Sequence, residues 1–470
     1  MTFVPTIEGA ATSYQWEFGG GSLPNVSTAE APESTLLKPG QFHGTVRACN
    51  GEACSEGFSF SYAVQTPVAP SGWGSSFSLA ARLFALGTVD GHPAILTSFV
   101  INGAGPPPYP AASLSIGLDD PSGSGELHWQ TTEVPRSTDI AGWEYQVVTA
   151  GFVDTPTGPV ICYVIDPDND VPKQIGFSSA KVQFPSSPTD WITAAGELPV
   201  PSEPSHVNDI VVLQASNGGL GLTYRLTFQM HSNDFDKGWD HRWFACNPDF
   251  TGTRFSDWRF QALETPPYDP SISPYQRGGS LIALENSWAI AFGTGRELRW
   301  DQSHSFFPAD AADWDRTLVD SSPTSGCGGL ARNGDRTYLL RSGIGPTRLY
   351  SSEAPRPTTK DWRQTTLDEH YSFFGGEGSL RVVGGRLYFG YWIGDGVWHM
   401  RRAVSVMPET ANDWQESTLV GPGQDSYSTP FEVLGVGNQL MRLHLTCTFQ
   451  AGTGCGDFGG LNFESANSPW

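Results

Sequence analysis

Two short stretches of this sequence concentrate the side chains that could do chemistry. The first, HSNDFDKGWDHRW, gathers His231, Asp234, Asp236, Asp240 and His241 with Trp239 and Trp243. Carboxylates and imidazoles hold or move protons, and indole faces beside them suit a sugar ring, which offers an apolar C–H face and a rim of hydroxyls. These residues predict a ligand-binding patch for a saccharide, although the same aspartates and histidines would also serve to brace a long loop. Were the patch catalytic, Asp234 and Asp240 would form the carboxylate pair that cleavage of a glycosidic bond needs. The second stretch is Asp166-Pro-Asp168-Asn169-Asp170. It sets oxygen ligands at alternate positions of a tight loop, as Ca²⁺ requires when it collects roughly six to eight hard ligands. It lacks the glycine and the distal glutamate of an EF-hand, so an acidic solvated turn is an equal reading. Calcium is the sole cofactor the sequence suggests.

Arg341, Arg381, Arg401, Arg402 and Arg442 fall on strand-like runs in the second half of the chain. Converging on one mouth they would clamp a carboxylate, but the favoured expectation is exposed strand positions paired with an acidic surface. No Gly-x-Ser-x-Gly, His-Glu-x-x-His or phosphate-binding loop occurs.

The elements that must position these residues come from a repeat. A Ser/Ala/Pro-rich turn, then Asp-Trp, then a short strand-like run recurs at Asp190-Trp191, Asp257-Trp258, Asp313-Trp314, Asp361-Trp362 and Asp413-Trp414. LHWQTTEV puts Trp129 in the same place and SANSPW ends on Trp470, so successive tryptophans lie 62, 67, 56, 48, 52 and 56 residues apart. That period fits one four-stranded propeller blade with variable loops, and seven tryptophans predict seven blades. Within a period the strands are joined by hairpins such as RVV-GG-RLYF and ARNGDRTYLL, with Gly, Asn or Asp where a positive φ is wanted. A tryptophan repeated in every blade is expected to wedge neighbouring blades together, its aspartate bonding turn amides. Blades 4 to 7 are expected to begin near Gly279, Gly328, Gly378 and Phe431. If each Asp-Trp opens an outermost strand, blade 7 lacks one, and the segment around 72 to 79 is expected to supply it and close the ring.

Residues 1–66 read as a unit of their own, ahead of a Pro-punctuated linker at 65–72 and a propeller over 67–470. SYQWEFGGG, a PNVSTAEAP loop, STLLKPGQFHGTVRACN and GFSFSYAV alternate apolar and polar residues between Gly/Pro turns. Trp16-Glu17-Phe18-Gly19-Gly20-Gly21, Pro39-Gly40-Gln41-Phe42 and Ala48-Cys49-Asn50 make this stretch resemble the PKD domain, an immunoglobulin-like β-sandwich. The resemblance implies an extracellular spacer or adhesive module. The whole is therefore expected to be all-β: a small PKD-like β-sandwich followed by a seven-bladed β-propeller, similar to bacterial-type propellers with Asp-Trp repeats. Propeller sialidases also repeat a turn ending in Trp, but their Ser-x-Asp-x-Gly-x-x-Trp repeat and Arg-Ile-Pro motif are absent, so the residues do not support that assignment.

Composition narrows the function classes. A net charge of −22 repels nucleic-acid phosphates and anionic lipid, and no apolar run approaches the roughly 20 residues needed to cross a bilayer, so neither nucleic acid nor membrane insertion is expected. The 54 glycines and 36 prolines suit many short strands and turns. Of the seven cysteines, Cys49 with Cys54 and Cys447 with Cys455 each flank a hairpin, predicting two disulfides and an oxidising, extracellular or cell-surface location. Cys162, Cys246 and Cys327 are expected to be small buried hydrophobes. With no catalytic signature in view, the expected function is a non-catalytic extracellular protein, adhesive or glycan-binding, whose partner is a glycan or other cell-surface ligand. A filament subunit self-assembling through the N-terminal unit and a propeller glycoside hydrolase or lyase are the alternatives.

Overall fold

A computed structural model describes residues 11–19, 22–23, 25–32, 35–36, 40–51, 53–64, 74–79, 83–98, 110–119, 127–137, 147–165, 174–198, 205–230, 237–248, 254–264, 279–293, 297–321, 325–343, 346–368, 380–392, 398–419, 432–436, 439–450 and 454–467. Seven antiparallel sheets of four strands make a seven-bladed β-propeller. Blades 1 to 6 occupy 83–134, 147–197, 205–264, 279–320, 325–368 and 380–419, and blade 7 takes its first three strands from 432–467. Strands pair in chain order within each blade. The first strands touch their neighbours all the way round, with that of blade 7 (Glu432–Val436) meeting that of blade 1 (Leu83–Val89), so they form the inner ring. The strand Gly74–Leu79 is the fourth of blade 7, pairing antiparallel with Gly454–Asn467 from Leu79 opposite Leu461 to Gly74 opposite Ser465. Closure is thus by the expected segment.

The second strands of blades 2 and 4, VICYVI and WAIAFG, are buried at every residue. Both faces of a blade are covered by other blades, so apolar residues run on continuously instead of alternating. Accordingly the core is a series of slabs between blades. Trp191 closes the slab between blades 1 and 2, Trp258 that between 2 and 3, and Trp314 that between 3 and 4. Trp362 packs against the slab between blades 4 and 5, and Trp414 against the next. The wedge expected from the repeat is found in these five copies. Trp129 differs: it is the third residue of its strand, Leu127–Val134, opposite Gly117. Trp470 lies outside the described residues.

The N-terminal residues build a separate five-stranded antiparallel sheet and a two-stranded one. Tyr14, Trp16, Phe18, Phe42 and Tyr62 form their core. Gly19 has φ +65°, and a Cβ there would sit 2.1 Å from the His43 carbonyl oxygen, so the turn after Trp16 requires glycine at this point. Cys49 and Cys54 are disulfide-bonded. Cys162, Cys246 and Cys327 are buried, as expected. Cys447 and Cys455 lie where only backbone is described, opposite Phe458 and Phe449.

Candidate functional site

Strand order gives the ring two different ends. First-to-second hairpins and third-to-fourth connections share one, the turn end. Second-to-third and fourth-to-first connections share the other, the mouth end.

The turn end repeats one construction. In blades 2 to 6 each third-to-fourth connection ends in a single 3₁₀ turn whose last residue is the aspartate of Asp-Trp. Asp190 accepts the backbone N–H groups of Ser186 and Ser187, and Asp413 those of Glu409 and Thr410. Asp361 accepts both the hydroxyl and the N–H of Thr358. Donation by the Ser186 N–H holds the Asp190 carboxyl below its ordinary value, and the Thr358 hydroxyl does the same for Asp361. The fourth strand of one blade then grips the turn of the next. Gln130 donates to the Pro185 carbonyl (3.1 Å), Thr317 to Pro357 (3.0 Å) and Thr365 to Glu409 (2.8 Å), and Gln261 donates to Pro308. The turn end is therefore a belt of fasteners.

Within the strands the side chains do not repeat. Counting from the residue paired with each tryptophan, one position on the third strand holds Ser178, Ala245, Asp301, Tyr350 and Arg401 in blades 2 to 6. The second-strand position just beyond it toward the mouth holds Tyr163, Tyr224, Phe292, Arg341 and Tyr391. Tyr163 accepts the Ser137 N–H at 2.9 Å, and burial pushes its hydroxyl up to about 12.

Between blades 4 and 5, Asp320 collects three groups. Tyr350 donates its hydroxyl at 2.6 Å, while Arg341 Nε and Arg348 Nη1 stand at 3.4 and 3.5 Å. Between blades 5 and 6, Arg401 donates to the Tyr391 hydroxyl (3.0 Å), Glu416 (2.9 Å) and Asp368 (3.0 Å), and to the Leu367 carbonyl. Tyr391 in turn donates to Glu416 at 2.8 Å. Burial first, and the neighbouring carboxylate second, raise Tyr350 far above the ordinary tyrosine value. Tyr391 is raised too, by burial and the Glu416 carboxylate against the opposing pull of Arg401. Burial alone would lower Arg401, but Tyr391 and Glu416 outweigh it and the guanidinium is raised.

These networks correct the expectation of exposed, surface-paired arginines. Arg341 and Arg402 are only 3 % exposed, and Arg401 bridges two blades. Each is charge-paired or hydrogen-bonded within the propeller, because a guanidinium taken out of water needs a partner there. Arg381 is half-buried, and the side chain of Arg442 is outside the described set.

The saccharide patch expected from sequence is divided. His231, Asp234 and Asp236 fall outside the described residues, as do Asp166, Asp168 and Asp170. Trp239, Asp240 and His241 belong not to a loop but to the third strand of blade 3, Lys237–Asn247, opposite Phe228, Thr227 and Leu226. Trp243 leaves the ligand set: it stacks on Tyr224 with centroids 6.3 Å apart and packs into the slab between blades 2 and 3. Strand periodicity within HRWFAC was the signal that would have placed it there. Among the described residues no group of three or more His, Cys, Asp or Glu converges to hold a metal.

No protein-family model matches the chain, and no curated protein matches it. Solved structures do. A Trypanosoma rangeli sialidase is 11 % identical, with 87 % of this chain and 56 % of that one covered at a TM-score of 0.40. The polysaccharide lyase Uly1 is 11 % identical over 82 % of this chain and 90 % of that one, at 0.46. An α-L-arabinofuranosidase of Fusarium graminearum is 11 % identical over 84 % and 98 %, at 0.42. The chain spans about half the length of the sialidase and of a similar prolyl endopeptidase, 56 % and 50 %. The proteins named are enzymes, so the expectation of a non-catalytic adhesive or filament protein finds no counterpart among them and is not carried forward.

Proposed function

We propose that this chain is a carbohydrate-active enzyme, a glycoside hydrolase or a polysaccharide lyase, working at the mouth end of its propeller. The observation that carries the reading is the contrast between the two ends. The turn end is uniform, whereas the connections entering the mouth range from three residues (344–346) to fourteen (98–111 and 265–278). Variable loops on a rigid ring are where a propeller places individual chemistry. The second strands of the neighbouring blades 2 and 3 both run toward this end, and the sequence that follows them carries Asp166, Asp168 and Asp170 in one blade and His231, Asp234 and Asp236, leading into Trp239, Asp240 and His241, in the other. Asp234 and Asp240 take the acid and base roles. In a hydrolase one carboxylic acid gives its proton to the leaving oxygen while the other carboxylate takes a proton from the attacking water. In a lyase the base removes a proton beside the uronate carboxylate and the glycosidic oxygen departs. On the same footing Asp166, Asp168 and Asp170 hold calcium, residues 1–66 form a PKD-like spacer, residues 67–470 the propeller domain, and the protein works outside the cell on a glycan.

The test is a screen of the full chain on neutral and uronate-containing polysaccharides, reading new reducing ends for hydrolysis and unsaturated uronate for elimination. Asp240→Asn is expected to abolish product formation. If no polysaccharide yields product, or Asp234→Asn and Asp240→Asn both retain full turnover, the reading is lost.

A further inference from the structure

Four Asn-Gly pairs stand in the sequence, at 50–51, 102–103, 217–218 and 333–334. Asparagine is a thermolabile residue, and before glycine, which has no side chain to crowd the approach, its carboxamide is open to attack by the next backbone nitrogen. Three of the pairs fall among the described residues, and the fold holds them differently. Asn50 is exposed at a hairpin of the N-terminal sheet, where it pairs with Ala53. Asn217 is exposed as well, and its Oδ1 accepts the Gly219 N–H at 3.0 Å. Asn333 is half-buried and reaches across to the next blade.

Asn333 ends the first strand of blade 5 at the turn end of the ring, opposite Arg336, with Gly334 beside it at φ +59°. Its Nδ2 donates to the Gly385 carbonyl at 2.8 Å and to the Val406 carbonyl at 2.9 Å. Gly385 lies in the first-to-second hairpin of blade 6 and Val406 in that blade's third-to-fourth turn, so one carboxamide ties blade 5 to both turn-end connections of its neighbour. The same joint is held by Thr365, which donates to the Glu409 carbonyl, and by Arg336, which ion-pairs with Glu409.

We propose that Asn333 is a deamidation site gated by the joint between blades 5 and 6, and that its conversion keeps the joint from closing again. In the reaction the Gly334 nitrogen attacks Asn333 Cγ. The new C–N bond forms as the Cγ–Nδ2 bond breaks, and Nδ2 leaves as ammonia with the proton that the Gly334 nitrogen gives up. Water then opens the succinimide at one of its two carbonyls, giving aspartate or isoaspartate. Nδ2 leaves only when its bonds to both carbonyls are broken, so the step waits for a local opening of the joint. The product is an acceptor where a double donor stood. A carboxylate facing the Gly385 and Val406 oxygens has no hydrogen to give them, and Arg336, the cation opposite, is already committed to Glu353 and Glu409. Each conversion therefore makes the next opening easier, whatever reaction the mouth performs.

The experiment ages the full chain at neutral pH at several temperatures below its melt and maps its peptides by mass spectrometry, which reads the exchange of amide for acid. Well below the melt, exposed Asn50 is expected to convert on the order of tenfold or more faster than Asn333, which needs an opening first. Openings become steeply more frequent on warming, so the gap should narrow as the melt is approached. Thr365→Val removes another bond across the same joint and is expected to speed Asn333 several-fold while leaving Asn50 unchanged. Gly334→Ala should slow Asn333 on the order of tenfold by crowding the attacking nitrogen. A Cβ there meets no atom within 4 Å, so the variant strains the turn without displacing a neighbour. The aged chain carrying acid at 333, separated from the rest by its extra charge, and the Asn333→Asp variant should both melt below the parent. Conversion of Asn333 as fast as Asn50 well below the melt, no conversion as the melt is approached, a rate untouched by Thr365→Val, or an acid form that melts with the parent would each overturn the proposal. Should Asn333→Asp fail to fold, the aged acid form carries the same comparison.

Discussion

The two ends of this propeller are built from the same strands and obey different rules. At the turn end the same side chain does the same thing in blade after blade: an aspartate ties a turn, a tryptophan fills the slab, and a fourth strand grips the next turn's carbonyl. Within the third strands, positions related by the repeat hold a serine, an alanine, an aspartate, a tyrosine and an arginine, and the connections entering the mouth run from three to fourteen residues. Repetition marks what assembles the ring, and its breakdown marks where blades acquire separate tasks. A fastener works in any blade, whereas a site built between blades needs each of them to differ.

The largest effect should come from the uniform end. Trp414→Ala removes an indole packed between blades 5 and 6, and chemical denaturation should register a loss of about 3–5 kcal/mol. Substitutions at Trp191 or Trp314 should cost a similar amount, and a tenfold smaller cost at one of them would break the equivalence of the copies. Asp320→Ala at the mouth comes next. It strips buried Arg341 of its carboxylate and Tyr350 of its acceptor, for about 3 kcal/mol, and replacing Arg341 as well should recover part of that loss. Asp413→Ala should cost only about 1 kcal/mol, since it undoes a turn cap exposed to water.

The smallest single contributions concern pH. Asp190, Asp315, Asp361 and Glu353 are all held below their ordinary values: Asp190 by the Ser186 amide, Asp315 by His304 and Arg356, Asp361 by the Thr358 hydroxyl, and Glu353 by Arg336. A carboxyl lowered in the folded state contributes stability that is fully present above its unfolded value and is lost as pH falls through the folded one. Thermal melts should therefore be flat down to about pH 5 and fall steadily below it. A melting temperature that rises on acidification would show that these carboxylates do not hold the turns.

Much of the architecture was legible because the repeat is carried by residues with one job. The five Asp-Trp copies marked the start of the fourth strand in blades 2 to 6, and the segment expected to close the ring does so. Trp129 misled because a tryptophan in mid-strand has the same letter and nearly the same spacing as one that follows a turn. Arginine burial was hidden for a different reason. The partners of Arg401 include Asp368, 33 residues away in the preceding blade, and no local pattern reports a charge pair across a blade interface. The start of the third strand of blade 3 read as a loop because HSNDFDKGWDHRW crowds charged residues and a glycine where apolar alternation would announce a strand.

The closing strand also sets a timetable. Gly74–Leu79 is made early, yet the strand it pairs with, Gly454–Asn467, follows some 375 residues later. At the usual ~5–20 residues per second, the ribosome needs roughly 20–75 s to bridge that interval. Throughout it the early blades stand as an open arc with a bare sheet edge, and every nascent chain passes through a stage at which edge-binding chaperones, or a neighbouring polysome's product, compete for the place that its own last strand will take.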